Sequence, residues 1–146
     1  MIHLKPVTLK NIEAVIALKL REEQEGFVLS NVISIAQAYV QPECIPLAIY
    51  NDDTIVGFVM YCVDRDDDQY WVYRIMIDEK FQRKGFAREA MVQLLKKIKS
   101  DSSRNKIFIG VDADNIAATA LYLSLDFVFD GRTFGKERIM MLAYST

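Results

Sequence analysis

A strand that runs into a basic, glycine-containing turn and then an amphipathic helix most narrows what this chain can build. Tyr70 to Ile77 (YWVYRIMI) is rich in aromatic and β-branched residues, the composition of a half-buried strand. Gln82-Arg83-Lys84-Gly85-Phe86-Ala87 follows it. From about Gly85 to Lys99 the residues Ala87, Met91, Leu94, Leu95 and Ile98 recur at helical spacing, which predicts a helix with one apolar face. The first turn of such a helix carries unpaired N–H groups and the positive end of the macrodipole. Gly85 lets an anion approach the backbone closely. Arg83, Lys84 and Arg88 add cations around it. The turn therefore fits a pyrophosphate, and taken alone it fits a solvated basic helix start equally well.

The rest of the chain supplies a frame for that unit. Its 146 residues, 51% apolar and 26% charged, fit one domain spanning 1–146 with a real core. No run of about 18 apolar residues is present, so no membrane-spanning helix is expected. Met1 to Pro6 lacks a basic start followed by a long apolar stretch, which argues against a signal peptide and for a cytoplasmic protein. A net charge of -2 gives no general attraction to nucleic acid. Two cysteines, Cys44 and Cys62, and one histidine, His3, make a disulfide scaffold or a zinc site an unsuitable reading, so no metal is expected. Cys62 lies in an apolar strand-like run and reads as a small buried hydrophobe.

Periodicity orders the elements. Ile2-His3-Leu4-Lys5 alternates like a short strand. Thr8 is placed to cap a helix with Ile12, Val15, Ile16 and Leu20 on one face. Ser30 precedes a second helix with Val32, Ile35, Ala36 and Tyr39 at helical spacing, which stops before Pro42. Leu47–Tyr50 and Ile55–Val63 form a hairpin around Asn51-Asp52-Asp53. Asp64, Asp66, Asp67 and Asp68 read as the solvated turn before Tyr70. Lys106–Val111 is a strand, Asn115–Ser124 a helix, and Phe127–Asp130 and Ile139–Tyr144 are closing strands. The order predicts an α/β (α+β) fold with a mixed, mainly antiparallel sheet of about seven strands and helices on both faces.

A second motif lies on the predicted last helix. Asn115, Ala118 and Tyr122 fall on one face, and the small Ala118 leaves room for a ligand beside the other two. Together, Gln82-x-x-Gly85-x-Ala87 and Asn115-x-x-Ala118-x-x-x-Tyr122 resemble the two coenzyme signatures of the GNAT superfamily of N-acetyltransferases. The resemblance implies the GNAT fold and acetyl-CoA as co-substrate. It assigns the loop of Gln82, Arg83, Lys84, Gly85, Phe86, Ala87 and Arg88 to the coenzyme pyrophosphate. It assigns the backbone of Ile75 and Ile77 to the pantetheine arm, Asn115 and Ala118 to the coenzyme side, and Tyr122 to the proton that the departing thiolate takes up. One departure is that Asp126-Phe127 stands where the family usually has Gly-Phe, so Asp126 must adopt the turn conformation that glycine normally supplies.

The acceptor is read from the first third of the chain. Arg21 to Asn31, with Glu22, Glu23 and Glu25, and Tyr70 to Asp78 resemble the bacterial spermine/spermidine (diamine) acetyltransferases within that superfamily. The resemblance implies a polyamine acceptor, which close-set carboxylates suit because opposite charges attract more strongly in a cleft than in water. Direct transfer to a primary amine needs a group that removes the ammonium proton. Trp71 to Ile77 holds no carboxylate, so Glu23, Glu25 or water takes that part. Two other readings stay open: a different amine (a protein N-terminus or an aminoglycoside), or an acetyl-CoA sensor without turnover. The closing strands, with Ile139, Met140, Met141 and Leu142 in one apolar run, offer either a homodimer interface or a core strand.

Overall fold

The computed structural model describes residues 1–145. Its strands are β1 Ile2–Pro6, β2 Ile45–Asn51, β3 Thr54–Val63, β4 Tyr70–Ile77, β5 Lys106–Asp112, β6 Val128–Phe134 and β7 Glu137–Ala143. Its helices are α1 Ile12–Ala17, α2 Asn31–Val40, α3 Phe86–Lys99 and α4 Ile116–Ser124. All seven strands join one sheet in the order β1-β2-β3-β4-β5-β7-β6. Every neighbouring pair is antiparallel except β4 and β5, which run parallel.

Alternation along the strands sends side chains to two cores. Leu47, Ile49, Val59 and Tyr61 face one side, where Ala90, Met91, Leu94, Leu95 and Ile98 of α3 and Tyr122 of α4 cover them. Ala48, Phe58, Met60 and Cys62 face the other, against Val15 of α1 and Ile35 and Ala38 of α2. Helices therefore cover both faces, as the period-2 and period-3.6 patterns together require. Ile139, Met140 and Leu142 are buried in the chain's own core, which assigns that apolar run to a core strand.

The first helices depart from the expected pattern. Asn11, not Thr8, is the residue preceding α1, and its side chain turns away from the helix. Its Oδ1 accepts from Thr8 N at 2.7 Å, and its Nδ2 donates to Pro6 O and to Tyr50 Oη. The helix ends at Ala17 because Lys19 N is drawn to Asp78 Oδ2 at 2.9 Å and Lys19 O accepts from Glu79 N at 2.7 Å. Leu20 thus lies beyond the helix, and Ile16 is exposed. Ser30 does cap α2, accepting from Ile33 N at 3.2 Å. The buried residues of that helix are Asn31 and Ser34, while Val32 and Tyr39 are exposed. Polar anchoring decides the rotation: Asn31 Nδ2 donates to Val15 O at 3.0 Å.

The acidic turn before β4 is a set of anchors, not mere solvation. Asp67 accepts from Trp71 Nε1 at 2.8 Å, Asp64 accepts from Tyr73 Oη, and Asp68 pairs with Arg104 at 2.9 Å. Both cysteines are free and buried. Burial pushes the Cys62 thiol up to about 12, and burial is also the main cause that raises Cys44. Neither is a thiolate at neutral pH.

Candidate active site

The site begins where two parallel strands part. β4 and β5 pair at Tyr70↔Ile107, Trp71↔Phe108 and Val72↔Ile109, and at no position beyond. On the other edge of β4 the partner of Tyr61 is Val72 and the partner of Met60 is Arg74, so Tyr73 is an extra, bulged residue. A bulge bends its strand. From this point β4 diverges from β5, and the edge of β4 that faces β5 has no strand to pair with. Backbone groups on such an edge are free to bond a ligand.

Two cavities fill the cleft. One, of about 420 Å³, is lined by Ile75, Ile77, Gln82, Arg83, Gly85, Phe86, Ala87 and Arg88 and by Asn115, Ala118 and Tyr122. The other, of about 560 Å³, is lined among others by Glu25, Arg74, Asp112, Lys136 and Glu137. Ile75, Asn115, Ala118 and Tyr122 border both. Of the residues given a part in the site from the sequence, Lys84, Glu22 and Glu23 border neither. Glu23 sits exposed on the short 3-10 turn Glu22–Gln24.

The turn ahead of α3 is shaped for an anion. Arg83 has φ +64° and Gly85 φ +81°, both left-handed. Alternating right- and left-handed residues converge successive N–H groups on one point, and the start of α3 adds its dipole. A Cβ on Gly85 meets no atom within 4 Å, so conformation rather than space calls for glycine there. Gln82 has a structural part: its Nε2 donates to Ile77 O at 3.0 Å and to Gln24 Oε1 at 2.8 Å, and Gln24 Nε2 returns a bond at 3.2 Å. The turn is thereby fixed to the end of β4 and to the segment before α2. Arg21 joins Arg83 and Arg88 on this cavity, three guanidinium groups along one groove. Arg88 also donates to Ser124 Oγ at 2.8 Å, which ties α3 to the end of α4.

Helix α4 carries the residues that the cavities share. Asn115 caps it through Oδ1, which accepts from Ala118 N at 3.2 Å. Its Nδ2 has no protein partner among the described residues, and Asn115 borders both cavities. The helix closes in a Schellman turn: Phe127 N donates to Tyr122 O and Asp126 N to Leu123 O, each at 3.1 Å. Asp126 takes the left-handed position of that turn, φ +73°, as its place in the sequence requires. The accompanying contact is Phe127 against Tyr122, ring centroids 5.9 Å apart. This turn fixes Tyr122. Its side chain is buried and its hydroxyl has no hydrogen-bond partner among the described residues. Burial alone raises its pKa above the ordinary value, so the phenol stays protonated at neutral pH.

The larger cavity holds charges that the sequence reading passed over. Arg74 donates from Nη2 to Gln37 Oε1 at 2.8 Å, while its Nε is buried without a partner. Asp112 and Glu137 are directly opposed across β5 and β7. Burial against the cleft wall is the main cause that raises the Glu137 carboxyl; Arg74 lowers it and Asp112 raises it further. No local pattern marks Glu137, which lies between Lys136 and Arg138 ahead of the apolar run. Only the strand register brings it to the cleft.

This geometry has counterparts among known proteins. The model of the acetyltransferase (GNAT) family matches residues 12–127. A spermine/spermidine N(1)-acetyltransferase of Bacillus subtilis is 26% identical over 96% of this chain and 97% of its own. Among solved structures, a spermidine N-acetyltransferase of Vibrio cholerae in complex with CoA and spermine superposes with a TM-score of 0.77, at 15% identity, over 98% of this chain and 95% of that one. The ribosomal-protein-S18-alanine N-acetyltransferase of Escherichia coli superposes with a TM-score of 0.75, at 20% identity, over 100% and 96%.

Proposed function

The chain belongs to the acetyltransferase (GNAT) family, and from that premise we propose that it moves the acetyl group of acetyl-CoA to a primary amine of a polyamine, spermine or spermidine. The observation that carries the reading is the pair of cavities meeting at Tyr122, one basic and ending on the Arg83–Gly85 turn, the other bordered by carboxylates. The names of the Bacillus subtilis relative and of the Vibrio cholerae structure support a polyamine as acceptor.

Each residue takes a part that its surroundings favour. The amides of Arg83 to Ala87, with Arg21, Arg83 and Arg88, hold the pyrophosphate of the coenzyme. The open edge of β4 at Ile75 and Ile77 bonds the pantetheine arm, and its N–H groups stabilise the oxyanion of the tetrahedral adduct. Asn115 Nδ2 orients the arm from the far wall. A neutral amine attacks the thioester carbonyl, a C–N bond forms, and the C–S bond breaks. Tyr122 gives its proton to the leaving thiolate. The phenol regains a proton from the newly acylated nitrogen. The same dry surroundings that raise the phenol's pKa also raise the basicity of the thiolate beside it, which keeps the two matched. Glu25 and Asp112 face the cationic body of the acceptor.

The test is product analysis. Spermine and spermidine incubated with the protein and acetyl-CoA should each gain one acetyl group on a primary nitrogen. Acetylation of only a peptide α-amine, or of an aminoglycoside, would keep the family and discard the polyamine.

A further inference from the structure

We infer that Glu137, from β7, is the base that takes the ammonium proton of the acceptor, and that Gly110 of β5 is glycine in order to leave room for its carboxylate. The inference rests on the acetyltransferase reading above and adds the base which that reading lacks.

Position comes first. Glu137 stands opposite Asp112 in the β5–β7 ladder, yet its side chain leans back over Gly110. A Cβ built on Gly110 would meet Glu137 Oε2 at 3.1 Å and Cδ at 3.3 Å. The carboxylate thus fills the space that a side chain of β5 itself would occupy on the cleft wall. It borders the same cavity as Ile75 of β4 and Tyr122 of α4. A group there faces the point where amine and thioester must meet. Glu25, the other candidate on this cavity, comes from the segment before α2 and not from the sheet; both carboxylates are solvent-accessible, and the difference is that Glu137 is carried by a strand of the cleft wall.

Chemistry agrees with the position. Among the described residues no hydrogen bond or ion pair engages the Glu137 carboxylate, so its lone pairs are available. The charged groups facing it are Arg74 from β4, Asp112 from β5, Glu25 from the segment before α2, and Lys136 beside it. Arg74 favours the anion, while desolvation and Asp112 favour the acid. Their balance raises the carboxyl from its ordinary value, the direction that favours a base, and solvent on its exposed side tempers the effect. The residue keeps an exposed side, through which the proton it accepts can leave to water. In balance, an ammonium N–H bond breaks, its proton goes to a Glu137 oxygen, and the electron pair left on nitrogen makes the bond to the acetyl carbon.

The experiment measures kcat against pH, with whichever amine the wild-type protein acetylates, so its outcome is independent of the polyamine assignment. Glu137→Gln should lower kcat at pH 7 by about 10²- to 10³-fold. Near pH 10 the acceptor arrives largely neutral, its ammonium pKa being about 10, and the deficit should shrink at least tenfold. Acetyl-CoA affinity, measured by calorimetry, should stay within about threefold, because the coenzyme cavity does not include Glu137. Gly110→Ala, which crowds the flexible end of Glu137, should cost about tenfold in kcat in the wild-type background and nothing further in the Glu137→Gln background. A deficit that is the same at pH 7 and pH 10, a loss of less than about threefold, or a fall in acetyl-CoA affinity equal to the fall in kcat would each overturn the assignment. Failure of spermine and spermidine as acceptors would leave it standing and strike only the polyamine.

Discussion

Replacing Tyr122 with phenylalanine deletes one oxygen and should separate catalysis from folding. The ring is buried, 4% exposed, and packs at 5.9 Å against Phe127. Phenylalanine keeps that contact and the backbone turn at Asp126. Because the hydroxyl bonds to nothing among the described residues, its loss breaks no hydrogen bond of the fold. Stability should change by less than about 1 kcal/mol, or about 4 °C in Tm for a chain of this size. Activity should change far more. Loss of a general acid costs about 10²- to 10⁴-fold, which is about 3 to 5 kcal/mol of barrier. The pH dependence has a definite sign. A raised pKa means the phenol remains the acid throughout neutral pH and loses its proton only above the ordinary value of about 10. The wild-type profile should therefore show no descending limb from Tyr122 below that pH. Free CoA thiol release gives kcat, and a thermal melt gives Tm. A kcat within about threefold of wild type refutes the argument, since water would then serve as the acid. A Tm lower by more than about 5 °C refutes it differently, by showing that the hydroxyl holds the fold.

Two further variants test the backbone of the site. Asp126→Gly relieves a left-handed aspartate at the Schellman position and should raise stability by about 0.5 kcal/mol, read as a Tm gain of about 2 °C; a loss would mean that the aspartate side chain contributes more than its conformation costs. Gly85→Ala has room for its methyl group but not the conformation, and should cost about 1 kcal/mol of stability. It should also weaken acetyl-CoA binding by tenfold or more in calorimetry, because the methyl group points into open space at the anion-binding turn; unchanged affinity would move the pyrophosphate elsewhere.

What the sequence makes legible here is local. Tyr70–Ile77 is a strand with the bounds its composition predicts, and Ser30 and Gly85 lie at helix starts where their chemistry puts them. Asp126 follows the same logic: a helix that ends at Ser124 and closes its turn through Phe127 N needs a left-handed residue before that phenylalanine. The face of α2 was only half legible: Ile35 packs on the core as its spacing predicts, but Val32 and Tyr39 are outside and Asn31 and Ser34 are inside. The buried Asn31 amide, which donates to Val15 O, outweighs a modest apolar stripe there. The end of α1 was hidden for a similar reason, since Asp78, far along the chain, draws Lys19 out of the helix. In the site, the coenzyme motifs could be read because each lies within one turn of helix and its approach. The acceptor wall could not. Arg74, Asp112 and Glu137 meet through a bulge, a parting of parallel strands and a cross-strand register, none of which leaves a short pattern. Glu22 and Glu23 drew attention as a charge cluster, yet neither reaches the cleft.

The acceptor is the central claim, and one assay addresses it directly. Release of CoA thiol from acetyl-CoA is measured with spermine, spermidine, putrescine, lysine and a peptide α-amine in parallel, each over a range that yields kcat/KM. Carboxylates bordering the larger cavity predict that spermine and spermidine lead by at least tenfold, and that added salt narrows the lead by weakening KM. Equal kcat/KM across the panel, or a lead for the peptide α-amine, contradicts the account.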